Sequence, residues 1–159
     1  MSESTLRQPP RGWKAFFWRA PIFFYKVGLG GLLRKHFVLL NHIGRKSGLP
    51  RQAVLEVVDY DAQIYYIASG FGKKSHWYQN IIHTPQVNIQ VGRKKMAAIA
   101  EELNKEDALK ILTRYAEAHP FALKELSYIL GLSYTGKTEE IEQMVSLLPI
   151  LALHIQNKE

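Results

Sequence analysis

The sequence predicts a mainly β domain of the α+β class, built on a small antiparallel barrel. Short apolar segments separated by turn residues follow one another from the first third of the chain onward, without the regular strand–helix alternation of a parallel sheet. Most of the helical patterns come after these segments. With 159 residues, of which 47% are hydrophobic and 22% charged, the chain has the length and composition of one domain with an ordinary core.

The strands are predicted from apolar runs and from alternation of apolar and polar residues. Alternation is clearest in VNIQV, residues 87–91, which predicts a strand that is buried on one face. The tripeptide at 61–63 is a short hairpin connection between two apolar runs. Five consecutive strands and a sixth near the end of the chain are therefore predicted, over residues 37–41, 54–60, 64–69, 87–91, 95–100 and 150–155.

Four helices are predicted between and after these strands. Ser75 is a candidate N-cap for the first helix, and Asn104 is one for the second. The second helix carries an apolar stripe at helical spacing and is ended by His119-Pro120. The predicted helices cover residues 76–83, 104–118, 121–130 and 139–148.

The residue types exclude several kinds of chemistry. The chain has no cysteine, which excludes disulfides, thiolate zinc sites, a cysteine nucleophile and cysteine-ligated iron–sulfur clusters. Its six histidines have neither H-x-H nor H-E-x-x-H spacing, and no metal site is predicted. Any electron transfer would therefore depend on a bound cofactor.

Positive charge is concentrated in the first third of the chain. The net charge is +7, and residues 1–58 contain ten basic and two acidic residues, whereas residues 59–159 contain eleven basic and twelve acidic ones. This bias indicates an anionic partner, which could be nucleic acid, a membrane surface or a phosphorylated small molecule. Solubility alone is the alternative explanation.

Residues 1–12 are predicted to be a polar tail, followed by a single domain over residues 13–159. Residues 13–36 mix aromatic and aliphatic residues with lysine and arginine, and so carry too many charges to span a bilayer. They form a predicted amphipathic helical segment that either lies on an anionic membrane or packs on the domain. No signal peptide is recognised, which predicts a cytoplasmic protein, with membrane association as an option.

Residues 131–138, GLSYTGKT, match the phosphate-binding pattern G-x-x-x-x-G-K-[ST]. A functional loop of this type requires a buried strand before it, but the preceding residues have a helical pattern. We interpret the segment as a connection between two helices, in which Thr138 caps the second.

Two basic, glycine-containing segments each follow a predicted strand. Residues 44–51, GRKSGLPR, combine three cations, a hydroxyl and two glycines. Residues 68–75, ASGFGKKS, combine two lysines with glycines and serines. Glycine lets a backbone approach an anion closely, and arginine can bind phosphate or carboxylate through two hydrogen bonds. Together they predict a site for an anionic ligand.

The order of these motifs resembles the deazaflavin-dependent nitroreductases, relatives of the flavin reductases. The resemblance rests on GRKSGLPR, a strand–hairpin–strand, ASG with lysines, WYQN, and TPQV before an alternating strand, and it covers about residues 37–118. It implies a split β-barrel of the FMN-binding type with peripheral helices. It also implies coenzyme F420, whose phosphodiester and glutamate tail is anionic, and hydride transfer to a quinone, a nitro compound or another unsaturated lipophilic acceptor.

The resemblance implies cofactor contacts in both basic segments and in the helix that follows them. The ligands of the anionic tail would be Arg45, Lys46, Ser47, Gly48 and Arg51. The backbone neighbours of the ring would be Ala68, Ser69 and Gly70, with Lys73 or Lys74 as a further anion contact. Trp77 and Asn80 match residues that wall the site and anchor the helix, although a core position is favoured for Trp77.

The proton donor stays open among Ser69, Tyr115, Tyr128, Tyr134 and water. Glu56 stands where the family often has an aromatic residue, which predicts a more polar substrate side. Residues 128–148 depart from the family pattern, so substrate specificity is not transferred.

Two other functions compete with this interpretation. One is a barrel that binds FMN, a lipid or haem without deazaflavin chemistry. The other is a basic nucleic-acid-binding module, which is disfavoured because the cations gather in loops after strands and in an apolar segment. No nucleic-acid partner is therefore expected, and a homodimer is one option for the assembly of the protein.

Overall fold

A computed structural model describes residues 36–157 of the chain, without the side chain of Ile129. The predicted tail at 1–12 and nearly all of the predicted amphipathic segment at 13–36 lie outside the described residues. Both remain predictions, as does the start of the domain at residue 13. Within residues 36–157, no helix is both long enough and apolar enough to span a membrane.

The described residues form a closed antiparallel barrel, which confirms the mainly β fold class. The strands are hydrogen-bonded in the order β1-β2-β3-β6-β5-β4. Their bounds are β1 Phe37–Ile43, β2 Pro50–Asp61, β3 Ile64–Ala68, β4 Gln86–Val91, β5 Lys94–Glu102 and β6 Ile150–Ile155.

Aliphatic side chains fill the interior of the barrel. The alternation predicted for β4 is confirmed, since Val87, Ile89 and Val91 are buried while Asn88 is exposed. Side chains from the other strands complete the same core, and Leu40 and Leu153 are fully buried. Because this interior is packed with side chains, ligand binding is left to the ends and the outer surface of the barrel.

Three strand boundaries differ from the prediction at the positions that bear on function. β1 continues to Ile43 and β2 begins at Pro50, so that Arg51 belongs to a strand and not to the basic loop. These extensions were missed because the strand ends are polar, although their backbones pair in register, with His42 opposite Arg51. β3 ends at Ala68, which places Ser69 in the following loop.

Four helices occur in the described part of the chain. They are α1 His76–His83, α2 Lys105–Ala118, α3 Pro120–Ile129 and α4 Thr138–Leu147. Asn104 caps α2 as predicted, because its side chain accepts a hydrogen bond from the backbone N–H of Asp107 at 2.9 Å.

The other two predicted caps differ in their outcome. Ser75 is the N-cap residue of α1, as predicted, but its hydroxyl bonds to Ser69 and not to the helix backbone. The N-cap of α4 is Lys137, one residue before the predicted Thr138. There the carboxylate of Glu140 reaches back and accepts hydrogen bonds from the backbone N–H groups of Lys137 and Thr135, at 3.1 and 2.7 Å.

Helices α2, α3 and α4 share a second apolar core that continues onto the outside of the barrel at β2, β3 and β6. Leu112, Leu123, Met144 and Leu148 are fully buried in it. The GLSYTGKT segment at 131–138 connects α3 to α4, as predicted, so the element directly before it is a helix and not a strand. It therefore lacks the strand–loop–helix arrangement that binds nucleotide phosphates.

Candidate functional site

The two basic loops leave the barrel at the same end. We call residues 44–49, between β1 and β2, the first loop, and residues 69–75, between β3 and α1, the second loop. β1 and β3 are both antiparallel to β2 and therefore run in the same direction. The loops after them are joined through α1, because Asn80 of that helix accepts hydrogen bonds from Arg45 of the first loop. Helix α1 follows the second loop and packs Tyr78 and Ile81 into the barrel core.

Asn80 connects the first loop to α1. Its Oδ1 accepts hydrogen bonds from the backbone N–H and from Nη1 of Arg45, each at 3.1 Å. Its Nδ2 lies 3.2 Å from Nδ1 of His42 in β1. Asn80 and His42 are each only 5% exposed, so this network is shielded from water. It fixes the first loop relative to the helix that leads out of the second loop.

The first loop keeps its positive charge uncancelled. Arg45 is half-buried and held by a neutral amide, while Lys46 and Arg51 are exposed. Among residues 36–157, no acidic side chain forms an ion pair with any of the three. A loop of this kind attracts an anion from solution, because binding one does not require breaking an internal ion pair.

The backbone of the first loop turns tightly. The N–H of Gly44 donates to Leu49 O at 2.9 Å, and a Cβ at Gly44 would lie 2.7 Å from Ser47 Oγ. Gly48 has a φ of +67° with open space around its missing side chain. Ser47 Oγ accepts a hydrogen bond from the N–H of Leu49 at 3.3 Å and is thereby part of the turn.

Ser69 lies inside the second loop. Its side chain is fully buried, donates a hydrogen bond to Gly72 O at 2.7 Å and lies 2.9 Å from Ser75 Oγ. The Ser69 hydroxyl therefore shapes the loop from within, and this position does not suit a proton donor to a substrate. Gly70 faces α3, since a Cβ there would lie 3.9 Å from a methyl group of Leu126.

The two lysines of the second loop have different surroundings. Lys73 Nζ lies 3.5 Å from Glu102 Oε1, and the other oxygen of this carboxylate accepts a hydrogen bond from Tyr78 at 2.5 Å. Burial and this carboxylate raise the pKa of Tyr78, which keeps it protonated. Lys74 is exposed and forms no ion pair with any residue between 36 and 157. Of the pair, Lys74 is the one whose charge is not shared with a carboxylate of the described residues.

The three candidate tyrosines occupy different environments. Tyr115 in α2 is 4% exposed and donates a hydrogen bond to Glu56 Oε1 at 2.7 Å. Burial, together with this carboxylate, raises the pKa of Tyr115. Tyr128 in α3 is 65% exposed, and Tyr134 is half-buried against the core of the three helices. Glu56, predicted to make the substrate side polar, is thus engaged by a buried phenol.

Trp77 packs against the barrel core while remaining half-buried, which agrees with the core position favoured from the sequence. His42 is a residue that the sequence analysis missed. Burial, followed by the nearby positive charge of Arg51, lowers the pKa of His42 to about 4. The only sequence signal was its position two residues after Leu40, on the inward-facing side of β1.

Two comparisons with known proteins point to F420H2-dependent reductases. A family model described as F420H(2)-dependent quinone reductase matches residues 24–122, more than half of the chain. A solved structure of an F420H2-dependent reductase, FDR-A, is 25% identical with a TM-score of 0.54, and the match covers 76% of this chain and 96% of that one.

Two further solved structures support the fold. One, described as a domain-swapped dimer, is 22% identical with a TM-score of 0.57, covering 90% of this chain and all of that one. The haem storage protein HutZ from Vibrio cholerae is 13% identical with a TM-score of 0.53, covering 84% of this chain and 90% of that one. At these identities the likeness concerns the barrel fold.

Proposed function

The chain belongs to the F420H2-dependent quinone reductase family, and on that premise we propose that it transfers a hydride from reduced F420 to a quinone. It is an oxidoreductase whose cofactor is coenzyme F420. The identity of the acceptor and the residues of the site are part of the proposal. When bound, the reduced deazaflavin supplies the hydride, so that the protein needs few catalytic side chains of its own.

One observation carries the assignment of the binding site, namely the double hydrogen bond from Arg45 to Asn80 Oδ1. It fixes the cationic first loop to the helix that begins where the second loop ends. Asn80 lies five residues after Ser75, which is about 7.5 Å along a helix axis. The two loops are therefore close enough for a single cofactor to contact both.

The residues present suit an anionic cofactor tail. Arg45, Lys46 and Arg51 have no acidic partner among the described residues, and Gly48 presents open backbone beside them. Arginine and lysine in such a setting form charge-assisted hydrogen bonds with phosphate and carboxylate groups. We assign these three cations to the tail of F420.

The ring of the cofactor is assigned to the second loop. Ala68 and Gly70 are half-buried, and the buried hydroxyl of Ser69 holds the backbone between them in one conformation. Leu126 of α3 lies beside Gly70 and adds an apolar wall that limits access of water to this side. The chain would thus bind the ring through backbone groups and orient one of its faces toward the acceptor.

A quinone is the proposed acceptor, and a nitro compound is the second candidate. The family description favours the quinone. A quinone can take the accompanying proton from water, which matters because Ser69 and Tyr115 are already committed to internal hydrogen bonds.

The cofactor is tested by titrating the purified protein with F420 and FMN side by side and following ligand fluorescence. Saturable binding of F420, much tighter than that of FMN, is the expected result. Tighter binding of FMN would overturn the proposal. The acceptor is tested by anaerobic oxidation of F420H2 with a naphthoquinone and with a nitroimidazole, and faster oxidation by the nitroimidazole would contradict the assignment.

A further inference from the structure

We propose that His42 is a positioning residue for the cofactor tail, acting through Asn80 on Arg45. The inference rests on the proposed binding of F420 at the first loop. His42 lies in β1, Asn80 in α1 and Arg45 in the first loop, and three contacts of 3.1 to 3.2 Å join them. None of the three side chains needs to touch the reacting atoms for this role.

The donors of Arg45 determine how the amide of Asn80 is oriented. An arginine side chain and a backbone N–H can only donate, so the atom that faces both of them must be the amide oxygen of Asn80. The amide nitrogen then faces His42 as a donor. His42 Nδ1 must therefore accept, which places the proton of this neutral imidazole on Nε2.

Burial makes this orientation depend on His42. Both His42 and Asn80 are 5% exposed, so the amide nitrogen has little access to water as an alternative acceptor. Without an acceptor at position 42, the amide would turn or shift to satisfy its N–H groups, and its oxygen would leave Arg45. The imidazole stays neutral near pH 7, since burial and Arg51 lower the pKa of His42 to about 4.

A neutral anchor leaves Arg45 able to bind an anion. Its guanidinium has five N–H donors, of which Asn80 takes one through Nη1. The remaining donors and the full positive charge stay available. A carboxylate in place of the amide would hold Arg45 equally well but would cancel its charge and compete with the ligand. Asn80, itself held by His42, therefore fixes the position of Arg45 without neutralising its charge.

The experiment compares two ligands, F420 and the same deazaflavin without its phosphate and glutamate tail. His42→Leu removes the acceptor, whereas His42→Asn keeps an oxygen at the position of Nδ1. We expect His42→Leu to raise the Kd for F420 about fivefold or more while leaving the Kd for the tailless ligand unchanged, and His42→Asn to stay within about twofold of wild type.

A double-mutant cycle tests the route through Arg45. In an Arg45→Ala background, His42→Leu should have no further effect on F420 affinity, because the group it positions is absent. Equal weakening of both ligands by His42→Leu would mean a general structural role and would overturn the proposal. An unchanged Kd for F420 in His42→Leu would also overturn the proposal. The same holds if His42→Leu weakens F420 binding equally in the wild-type and Arg45→Ala backgrounds.

Two further measurements keep the proposal falsifiable if His42→Leu does not fold. Nitrogen-15 NMR of the wild-type protein should show His42 with a bare Nδ1 and a protonated Nε2, and the opposite tautomer would refute the network. Asn80→Asp should raise the Kd for F420 while leaving the Kd for the tailless ligand unchanged. If wild type fails to bind F420, the proposed function fails as well; if wild type binds and these outcomes fail, only the role of His42 is lost.

Discussion

The phenol of Tyr115, buried in α2, donates a hydrogen bond of 2.7 Å to the carboxylate of Glu56 in β2. This bond joins the core of the three helices to the barrel. Burial and the carboxylate both raise the pKa of Tyr115, so the group holds its proton over the whole physiological range. We therefore assign Tyr115 to stabilising the fold, and it becomes a weak candidate for the proton donor.

Tyr115→Phe should therefore lower stability more than activity. We expect a loss of about 1–2 kcal/mol in the free energy of unfolding, measured with urea, because the hydrogen bond has a charged acceptor that is partly in solvent. Turnover per folded molecule should stay within about twofold of wild type, since no proton is lost from the reaction path. Glu56→Gln keeps a hydrogen-bond acceptor but removes the charge, and it should lower the free energy of unfolding by less than Tyr115→Phe does.

A large loss of turnover in Tyr115→Phe with unchanged stability would contradict this assignment and restore the tyrosine as a proton donor.

Removal of the two cations of the first loop should weaken cofactor binding. Arg45→Ala combined with Lys46→Ala is expected to raise the Kd for F420 more than about tenfold, because each charge-assisted contact contributes about 1.5–3 kcal/mol. Fluorescence titration measures the effect. An unchanged Kd would refute the assigned tail site.

The matched control replaces two lysines at the other end of the barrel. Lys94 and Lys95 begin β5, directly after the turn that ends β4. Because β4 is antiparallel to β1, this turn lies at the end where β1 starts, about 17 Å of strand away from the first loop. Lys94→Ala with Lys95→Ala removes the same charge and should leave the Kd for F420 within about twofold of wild type.

The lysines of the second loop should contribute unequally. Lys73 is paired with Glu102 at 3.5 Å, whereas Lys74 has no acidic partner among residues 36–157. We expect Lys74→Ala to raise the Kd for F420 about three- to tenfold and Lys73→Ala less than about twofold. Glu102→Gln releases Lys73 and should not weaken binding. A larger effect at Lys73 would reverse the assignment.

The barrel could be predicted from the sequence because its inward-facing positions are apolar and regularly spaced. The pattern was lost where a strand continues in polar residues, as at His42, Arg51 and Gln52, although β1 and β2 pair in register there. Composition cannot identify such strand ends, since their extended conformation is stabilised by backbone pairing and not by burial of apolar side chains.

The candidate site was predictable in its residue types but not in its contacts. Glycines and cations after strands indicated an anion site, and the structure places both loops at one barrel end. The link from Asn80 to Arg45 and His42 spans 35 and 38 positions of sequence. It depends on the continuation of β1 to Ile43 and on the rotation of α1, neither of which local patterns determine.

Acid should destabilise the protein through His42. The pKa of this imidazole is 6.5 in an unfolded chain and about 4 in the folded one. Well above pH 6.5 both states hold it neutral, and its titration contributes nothing there. As the pH falls from 6.5 towards 4, His42 becomes protonated in the unfolded chain but stays neutral in the folded protein. The free energy of unfolding therefore falls by up to about 3 kcal/mol relative to neutral pH.

His42→Asn supplies the comparison, because asparagine can accept from Asn80 but does not titrate. Urea unfolding of both proteins is measured between pH 7 and 4. Near pH 7 the free energies of unfolding of wild type and His42→Asn should differ by a constant amount, and at lower pH that of wild type should fall relative to that of the variant. The carboxylates titrate in both proteins and cancel in the difference. A constant difference down to pH 4 would mean that His42 is protonated as readily in the folded protein as in the unfolded chain. That result would contradict the assignment of His42 as a buried neutral imidazole that accepts a hydrogen bond at Nδ1.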